Sequence, residues 1–460
     1  MRRCGPRVLE CAGTVSTVTF DVSVERPPDR RFLSLFTGGG GLDLGLEAAG
    51  WRSMAAIEMD TDAIGTLTLA ARQREEVCGS LEPTLIAQKI EDVDPHDLRL
   101  RLGLMKGELP LMAGGPPCQP FTTHGLRKSI SDARASGVWP TYINYVEEFQ
   151  PKALVIENVD GLLSAALRHR PLALRGNVKI MEDPAERKGS FLLWLLKELV
   201  RCGYTVAWGL AEAADYGVPQ FRQRSLIIGV RGVEPCFLPP GEYGGDGQPD
   251  YCTLRQALQE VTELGPVQPL SERKRSVYAQ IPPGGNWRNL PEAVQASTMG
   301  KAHFATGGKS GWWRRLSWDS PTPTILGMPD HSSTALIHPE ETRCLSVAEC
   351  AAAQSFPAAT QFAGTPRSQY QQIGNAVPPL LGLAIGKQLH RYFRDGPGEL
   401  PDVPGWRRLS ANRRIGTHGW VVVRKGSRPA LTINVKVRHD HVWSDLREED
   451  GFDVVDNRAN

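Results

Sequence analysis

Between residues 31 and 231, the order of apolar and polar positions predicts β-strands that alternate with α-helices. The predicted strands are short, nearly continuous apolar runs at residues 31–36, 52–57, 109–113, 151–157 and 225–230. Among the helices between them, one over 42–49 and one over 188–202 each stop at a glycine. This alternation predicts an α/β fold with a doubly wound, Rossmann-like parallel sheet.

Outside this region the pattern changes. Residues 1–30 form a polar extension, and residues 232–342 are rich in Gly, Pro and Trp, which predicts a smaller irregular domain. Helical and glycine-turn signals return over 343–395, so we expect the chain to re-enter the α/β domain there. Over 396–460, three consecutive valines precede a turn, and apolar and polar residues alternate at 431–437, which predicts a hairpin or a small β appendage.

The bulk composition is that of a globular enzyme, with 41% hydrophobic and 23% charged residues. A net charge of +2 permits a nucleic-acid partner without arguing for one. Nine cysteines with no CxxC pair and no His/Cys cluster predict reduced intracellular thiols and no metal. The N-terminus lacks the apolar part of a secretion signal, and no apolar run is long enough to span a bilayer. We therefore expect a cytoplasmic protein, or a nuclear one if the source is eukaryotic.

A run of four glycines, Gly38 to Gly41, follows the first strand and opens a helix. Glycines allow the backbone to approach a ligand closely, and a helix N-terminus offers free N–H groups. Glu58 ends the next strand, where dinucleotide sites hold the ribose hydroxyls. The alternative is an ordinary tight turn. The full NAD fingerprint fails because Asp43 stands at the third glycine position, so an adenosyl ligand without pyrophosphate, such as S-adenosylmethionine, fits better.

One cysteine, Cys118, lies in the run Gly114–Phe121, which reads Gly-Gly-Pro-Pro-Cys-Gln-Pro-Phe. The prolines and glycines fix the backbone and hold the thiol at a strand end, where doubly wound sheets bind substrates. A lone cysteine is otherwise a buried, inert small hydrophobe. The rigid setting favours a functional thiol.

This run resembles the Pro-Cys motif of the DNA (cytosine-5) methyltransferases of bacterial restriction-modification type. Five further motifs resemble that family's in the same order, namely Phe36–Gly41, Glu157–Val159, Gln220–Arg224, Glu349 with Gln354–Pro357, and Gln372–Pro379. The resemblance covers about residues 31–395, and six ordered motifs are far more specific than one.

The resemblance implies that the thiolate of Cys118 adds to C6 of a cytosine flipped out of the duplex. Glu157 matches the carboxyl group that hydrogen-bonds N3 and the exocyclic amine. Arg222 and Arg224 match residues that contact the flipped base and the cysteine loop, with Arg222 the better candidate for the cytosine O2. The base that removes the C5 proton is not identified by the sequence.

S-adenosylmethionine is the methyl donor that the resemblance implies, with no metal. Residues around its methionine part are matched by Phe36, Gly38, Gly40 and Leu42. Glu58 matches the ribose ligand and Asp92 the acidic residue near the adenine amine. Three further positions match residues that contact the cofactor in the family: Pro117, Val138 and Asn375.

Double-stranded DNA is the implied partner, and residues 232–342 correspond to the target recognition domain. Its tryptophans and arginines, Trp287, Trp312, Trp313, Trp318, Arg288, Arg314 and Arg315, are candidates for DNA contact, although a tryptophan more often packs in a core. The resemblance also implies a cytoplasmic, nucleoid-associated monomer. Its methylation would protect DNA from a cognate restriction endonuclease that acts independently. Alternatives are a tRNA cytosine-5 methyltransferase, a catalytically silent DNA-binding relative and an NAD-dependent oxidoreductase, the last disfavoured by Asp43.

Overall fold

The computed structural model describes residues 29–78, 83–117, 137–168, 183–187, 189–232, 234–238, 241–245, 247–304, 311–396, 407–410, 413–415 and 418–423. Cys118 and the predicted alternation at 431–437 lie outside these residues, as does nearly all of the polar extension.

The strands are β1 Arg31–Leu35, β2 Arg52–Glu58, β3 Thr84–Ala87, β4 Leu111–Gly114, β5 Ala153–Val159, β6 Thr205–Glu212, β7 Gln220–Phe221, β8 Gln223–Val230, β9 Thr322–Pro323, β10 Arg407–Ser410, β11 Arg413–Ile415 and β12 His418–Val423. The helices are α1 Gly41–Ala48, α2 Thr61–Cys78, α3 Pro95–Arg101, α4 Val138–Phe149, α5 Ser190–Arg201, α6 Leu254–Ala257, α7 Glu272–Tyr278, α8 Glu292–Met299, α9 Val347–Ala353, α10 Pro366–Asn375 and α11 Pro379–Asp395.

Eight strands form the main sheet, in the order β12-β6-β8-β5-β4-β1-β2-β3. The pairs from β3 to β5 are parallel, whereas β5 with β8, β8 with β6 and β6 with β12 pair antiparallel. The α/β fold is confirmed, and the sheet is mixed rather than wholly parallel. The connection between β6 and β8 is too short for the crossover that parallel neighbours need.

Alternate residues of the strands face two separate hydrophobic layers, as the two-residue period of a strand requires. On one face, Leu33 and Leu154 pack with side chains of α4 and α5, including Trp139 and Phe191. On the other, residues such as Val155 pack with α1 and α11. Helices on both faces are what the name doubly wound describes.

Helices α1 and α11 cross at glycines. A Cβ atom at Gly45 would collide with the carbonyl oxygen of Pro379, and one at Gly382 would lie 2.9 Å from the carbonyl oxygen of Leu42. The missing side chains let the two backbones touch. This close crossing brings the start of α11 against the start of α1, and so brings residues 374–379 beside the glycine loop.

Residues 232–342 contain a core of their own, in which Tyr278, Trp287, Trp313 and Ile337 are buried. Trp287 and Trp313 are therefore core residues of this irregular segment. Arg315 is also buried and donates to backbone oxygens that include those of Tyr278 and Glu340, so its guanidinium is not exposed to a DNA backbone.

The C-terminal segment joins the main sheet. Strand β12 pairs with β6 through Val421 opposite Trp208 and Val423 opposite Val206, while β10 and β11 form a separate two-stranded sheet. The three valines predicted as β structure thus extend the main sheet by one edge strand.

Candidate active site

The glycine loop between β1 and α1 is held by an unusual backbone. Phe36, Gly38 and Gly40 all have positive φ, at 56°, 55° and 78°, a region that favours glycine. The N–H of Thr37 donates to the carbonyl oxygen of Ile57 at 3.3 Å, which ties the loop to β2. The loop therefore leaves β1 and turns sharply into the N-terminus of α1.

Buried hydroxyl groups brace the same loop. The Oγ of Ser34 donates to the Asp43 carboxylate at 2.7 Å and lies 2.9 Å from the Thr37 hydroxyl. Asp43, which rules out the NAD fingerprint, therefore acts here as a buried acceptor in the first turn of α1. Since Ser34 uses its own hydrogen for Asp43, Thr37 is the donor in the second contact.

Glu58 ends β2, and its carboxylate is fixed by backbone donors. Gly38 N–H donates to Oε2 at 2.7 Å, and Met59 and Asp60 N–H groups donate to Oε1 at 2.8 and 2.9 Å. A carboxylate has about four acceptor positions, so capacity remains for hydroxyl groups. A Cβ at Gly38 would meet no atom within 4 Å, which shows open space in front of the loop. These residues fit an adenosyl ligand.

The other predicted cofactor residues lie at the ends of neighbouring elements. Asp92 is exposed in the turn after β3, and Pro117 is exposed after β4. Val138 begins α4, and a Cβ at the preceding Gly137 would lie 3.1 Å from Glu91 Oε1, so α4 starts beside the Asp92 turn. Because parallel strands end at one edge of a sheet, these positions share the edge that carries Glu58.

Leu42 and Asn375 differ in what they offer a ligand. The Leu42 side chain is buried in the core with Val377 and Leu381, so only its backbone lies at the start of α1. Asn375 is the exposed last residue of α10. Its neighbour Gln372 lies against the loop, since a Cβ at Gly39 would be 3.5 Å from the Gln372 Cβ.

Glu157 and Arg224 form a buried ion pair on adjacent antiparallel strands. The Arg224 Nε lies 2.9 Å from Glu157 Oε1, and both side chains are over nine-tenths buried. Burial raises the pKa of the Glu157 carboxyl group, and the positive charges of Arg224 and Arg222 only partly oppose this. The site therefore favours a neutral carboxylic acid at Glu157 more than water does.

The backbone that leads to Cys118 is attached to the same strand. The Asn158 Nδ2 donates to the carbonyl oxygen of Pro116 at 3.0 Å, and a Cβ at Gly115 would lie 3.2 Å from Glu157 Oε2. Cys118 itself lies outside the described residues, but the chain two residues before it is bonded to β5. Asn158 and Gly115 lie within two of the sequence motifs, which gave them no role of their own. Their contacts explain why those residue types occur there.

Arg222 is placed differently from Arg224. Its guanidinium donates to the carbonyl oxygens of Ile325, Gly374 and Ala376, at 3.2, 2.7 and 2.9 Å, and the side chain is 1% exposed. The structure therefore brings Arg224, and not Arg222, against the Glu157 carboxylate. Which of the two arginines contacts the cytosine stays a prediction.

The part of the chain that the structure describes contains no group of three or more His, Cys, Asp or Glu side chains arranged to hold a metal ion. None of its helices is both long and apolar enough to cross a membrane.

The sheet, its two helical layers and the loop at the carboxyl ends of β1 and β2 define an α/β methyltransferase fold. The same fold occurs in an Escherichia coli prophage-encoded chain described as a DNA modification methyltransferase, with a TM-score of 0.51, 21% identity, and coverage of 79% of this chain and 99% of that one. Methyltransferase EhMeth of Entamoeba histolytica has a TM-score of 0.50 at 14% identity, with 80% and 99% of the two chains covered.

The family model for C-5 cytosine-specific DNA methylases matches residues 30–391, and the chain belongs to this family. It is a DNA cytosine-5 methyltransferase, for which S-adenosylmethionine is the methyl donor. Among relatives, Type II methyltransferase M.Sau96I of Staphylococcus aureus is 34% identical over 381 residues, 81% of this chain and 79% of the relative. M.Eco47II of Escherichia coli is 33% identical over 369 residues, 78% of each chain.

Proposed function

We propose that this methyltransferase acts on a cytosine flipped out of a specific double-stranded DNA sequence, with Cys118 as the nucleophile. The observation that carries the proposal is the buried Glu157–Arg224 pair, against which the backbone leading to Cys118 is held by Gly115 and Asn158. Base flipping is required because C6 and the N3 edge are inaccessible in a stacked duplex.

Glu157 acts on the N3 edge of the base. In the proposed mechanism Glu157 acts as the carboxylic acid, a form that the burial-raised pKa makes more accessible than in water. In this form the group donates its proton to N3 and accepts from the exocyclic amine. The Cys118 thiolate forms the Sγ–C6 bond, the ring electrons move toward C5, and the proton on N3 offsets the charge that develops. Cytosine C5 thereby becomes nucleophilic.

S-adenosylmethionine, when bound, supplies the electrophilic methyl group that C5 takes. A base that the sequence does not identify then takes the C5 proton. The C–H electrons return to the ring, the C6–Sγ bond breaks, the Cys118 thiolate leaves, and N3 gives its proton back to Glu157. Gly115 and Asn158 serve these steps by fixing the loop, and their roles are positional.

Arg224 is the arginine that we assign to the base, in place of Arg222. Its Nε orients Glu157, and its position on β8, beside the end of β5, is the one from which a guanidinium reaches a base bonded to Glu157. A positive charge there also favours the thiolate over the thiol.

The glycine loop is the proposed cofactor site. Its members are Phe36, Gly38, Gly40 and the backbone of Leu42, with Glu58 at the ribose, Asp92 at the adenine, and Pro117, Val138 and Asn375 at the remaining contacts. We assign recognition of the DNA sequence to residues 232–342. Since several relatives carry the name Type II methyltransferase, we also propose a protective role in restriction-modification, beside a separate endonuclease.

The test is replacement of Cys118 by serine. We expect Cys118→Ser to lose transfer of a labelled methyl group to duplex DNA, and to form no denaturant-resistant complex with a duplex that carries 5-fluorocytosine, while S-adenosylhomocysteine still binds. The control is Cys202→Ser, which removes a buried thiol at the end of α5.

Full transfer by Cys118→Ser would overturn the mechanism. Transfer to tRNA and not to duplex DNA would instead support the tRNA alternative. Bisulfite sequencing of a host that expresses the enzyme would then identify the target sequence.

A further inference from the structure

Three buried polar side chains lie where the recognition segment meets the catalytic domain, and they serve no step of the chemistry above. They are Gln220, Arg222 and Gln354, which we call the joint, and none is more than 1% exposed. Gln220 and Gln354 are hydrogen-bonded to each other through Gln220 Nε2 and Gln354 Oε1.

On one side, the joint holds the recognition segment. The backbone N–H of Ile325 donates to Gln220 Oε1 at 2.9 Å, and its carbonyl oxygen accepts from Arg222 Nη1 at 3.2 Å. Strand β9, which precedes Ile325, pairs with β7, which contains Gln220. Both backbone groups of Ile325 are therefore bonded to the joint.

On the other side, the joint holds the end of α10. Arg222 Nη2 donates to the carbonyl oxygens of Gly374 and Ala376, and Gln354 Nε2 donates to Ala376 at 2.8 Å. Asn375, the proposed cofactor contact, lies between these two anchored carbonyl groups. Its backbone is thus fixed by the same side chains that fix Ile325.

The two segments also touch directly and reach the cofactor loop. A Cβ at Gly374 would lie 2.8 Å from the Gly327 nitrogen, so residues 326–327 pack on α10 without any side chain between them. Beyond Ala376, a Cβ at Gly41 would collide with the carbonyl oxygen of Val377. Contact is therefore continuous from the recognition segment to the start of α1.

We propose that Gln220, Arg222 and Gln354 are positioning residues that couple DNA recognition to cofactor binding. The proposal rests on the proposed function, in which Asn375 contacts the cofactor and residues 232–342 recognise DNA. A shift of Ile325 on DNA binding must either carry residues 374–376 with it or leave buried polar groups unpaired, which is unfavourable. We therefore expect DNA and cofactor to select the same arrangement, and linkage then makes the gain in affinity equal for the two ligands.

The test uses the full chain with S-adenosylhomocysteine as the probe. Calorimetry gives its dissociation constant without DNA and with saturating duplex that wild-type enzyme methylates, and the ratio of the two constants is the coupling factor. We expect a wild-type factor of at least about fivefold. Gln354→Met is close in volume but cannot form the hydrogen bonds. Arg222→Lys keeps the charge but offers one nitrogen in place of the two that reach Ile325 and residues 374–376. Each variant should bring the factor to about one.

Arg201→Lys, on the exposed surface of α5, is the matched control and should keep the wild-type factor. A role in stability alone would lower the melting temperature and leave the coupling factor unchanged, which would overturn the proposal. A wild-type factor of one would overturn it too, as would variants that lose turnover with both binding constants intact. If wild type transfers no methyl group to DNA, the proposed function fails. Its S-adenosylhomocysteine affinity compared with the variants' then still tests whether the joint positions residues 374–376.

Discussion

Asn158 Nδ2 donates a 3.0 Å hydrogen bond to the carbonyl oxygen of Pro116, which joins strand β5 to the loop that carries Cys118. Asn158 is buried, and its Oδ1 accepts from the N–H of Val159, so the orientation of the amide is fixed. The residue next to it in sequence is Glu157. One strand end therefore holds both Glu157 and the backbone that leads to Cys118.

Replacement of Asn158 by alanine should release that loop. The Pro116 carbonyl would lose its partner, and a displacement of about 1 Å at the reacting atoms costs about a hundredfold in rate. We expect Asn158→Ala to lower kcat by about that factor, with the dissociation constant for S-adenosylhomocysteine changed by less than about twofold. Asn144→Ala, at an exposed position of α4, is the control. Wild-type kcat in Asn158→Ala would contradict the positioning role.

The pKa of Glu157 should be visible in the pH dependence of the reaction. Burial raises this pKa, so the neutral acid that the mechanism needs persists above the usual range of a carboxyl group and is lost as pH rises. We expect kcat/KM to fall on the alkaline side through this ionisation. Glu157→Gln should lose about a hundredfold or more in rate and should lack that alkaline fall. An alkaline limb unchanged in the variant would assign the ionisation to another group.

The raised pKa of Glu157 also makes stability depend on pH. The direction of this dependence is opposite to that of a carboxylate whose pKa is lowered by an ion pair. Because the pKa of Glu157 is raised in the folded state, this group contributes to the free energy of unfolding below its pKa in the unfolded chain. The contribution disappears as pH rises through its pKa in the folded state. The free energy of unfolding of wild type, minus that of Glu157→Gln, should therefore decrease from acid to alkaline pH in denaturant titrations. A difference that increases with pH would show a lowered pKa.

Glu58 should determine the affinity for the cofactor but not the affinity for DNA. In Glu58→Gln, one carboxylate oxygen is replaced by an amide donor, so either the Gly38 N–H or the pair from Met59 and Asp60 loses its acceptor. A hydrogen bond to a charged group contributes about 1.5–3 kcal/mol. We expect the dissociation constant for S-adenosylhomocysteine to rise by about tenfold or more. Glu108→Gln, just before the first residue of β4, serves as the control. Equal affinities in the two variants would show that Glu58 does not contribute to the cofactor site.

Strand β12 should protect the edge of the main sheet. It covers β6, whose backbone groups would otherwise be open to pairing with another chain. A chain that ends at residue 406 should therefore associate in size-exclusion chromatography and melt at a lower temperature. A chain that ends at residue 423 keeps β12 and should remain like the full chain. Identical behaviour of the two truncations would show that β12 contributes nothing to the edge.

The local elements were predictable because their signals are local. Apolar runs and glycine stops identified β1, α1, β2 and α5 within one or two residues. The resemblance of six ordered motifs identified the family. It also led to the prediction that Cys118, Glu157 and the glycine loop belong to the site. The reversal of direction at β8 was not predicted, because an isolated apolar run does not show which way its neighbours run.

The contacts of Arg222 and Arg224 could not be predicted from the sequence. The two arginines lie in one motif, two residues apart, and their chemistry is the same. Antiparallel pairing of β8 with β5 sets Arg224 opposite Val159 and so beside Glu157. The return of residues 374–376, some 150 positions later, surrounds Arg222 with carbonyl oxygens. The sequence by itself determined the fold class and the family, and it supplied the prediction of the reacting groups. Only the tertiary structure decided which arginine meets the acid, because that choice depends on backbone brought together from distant parts of the chain.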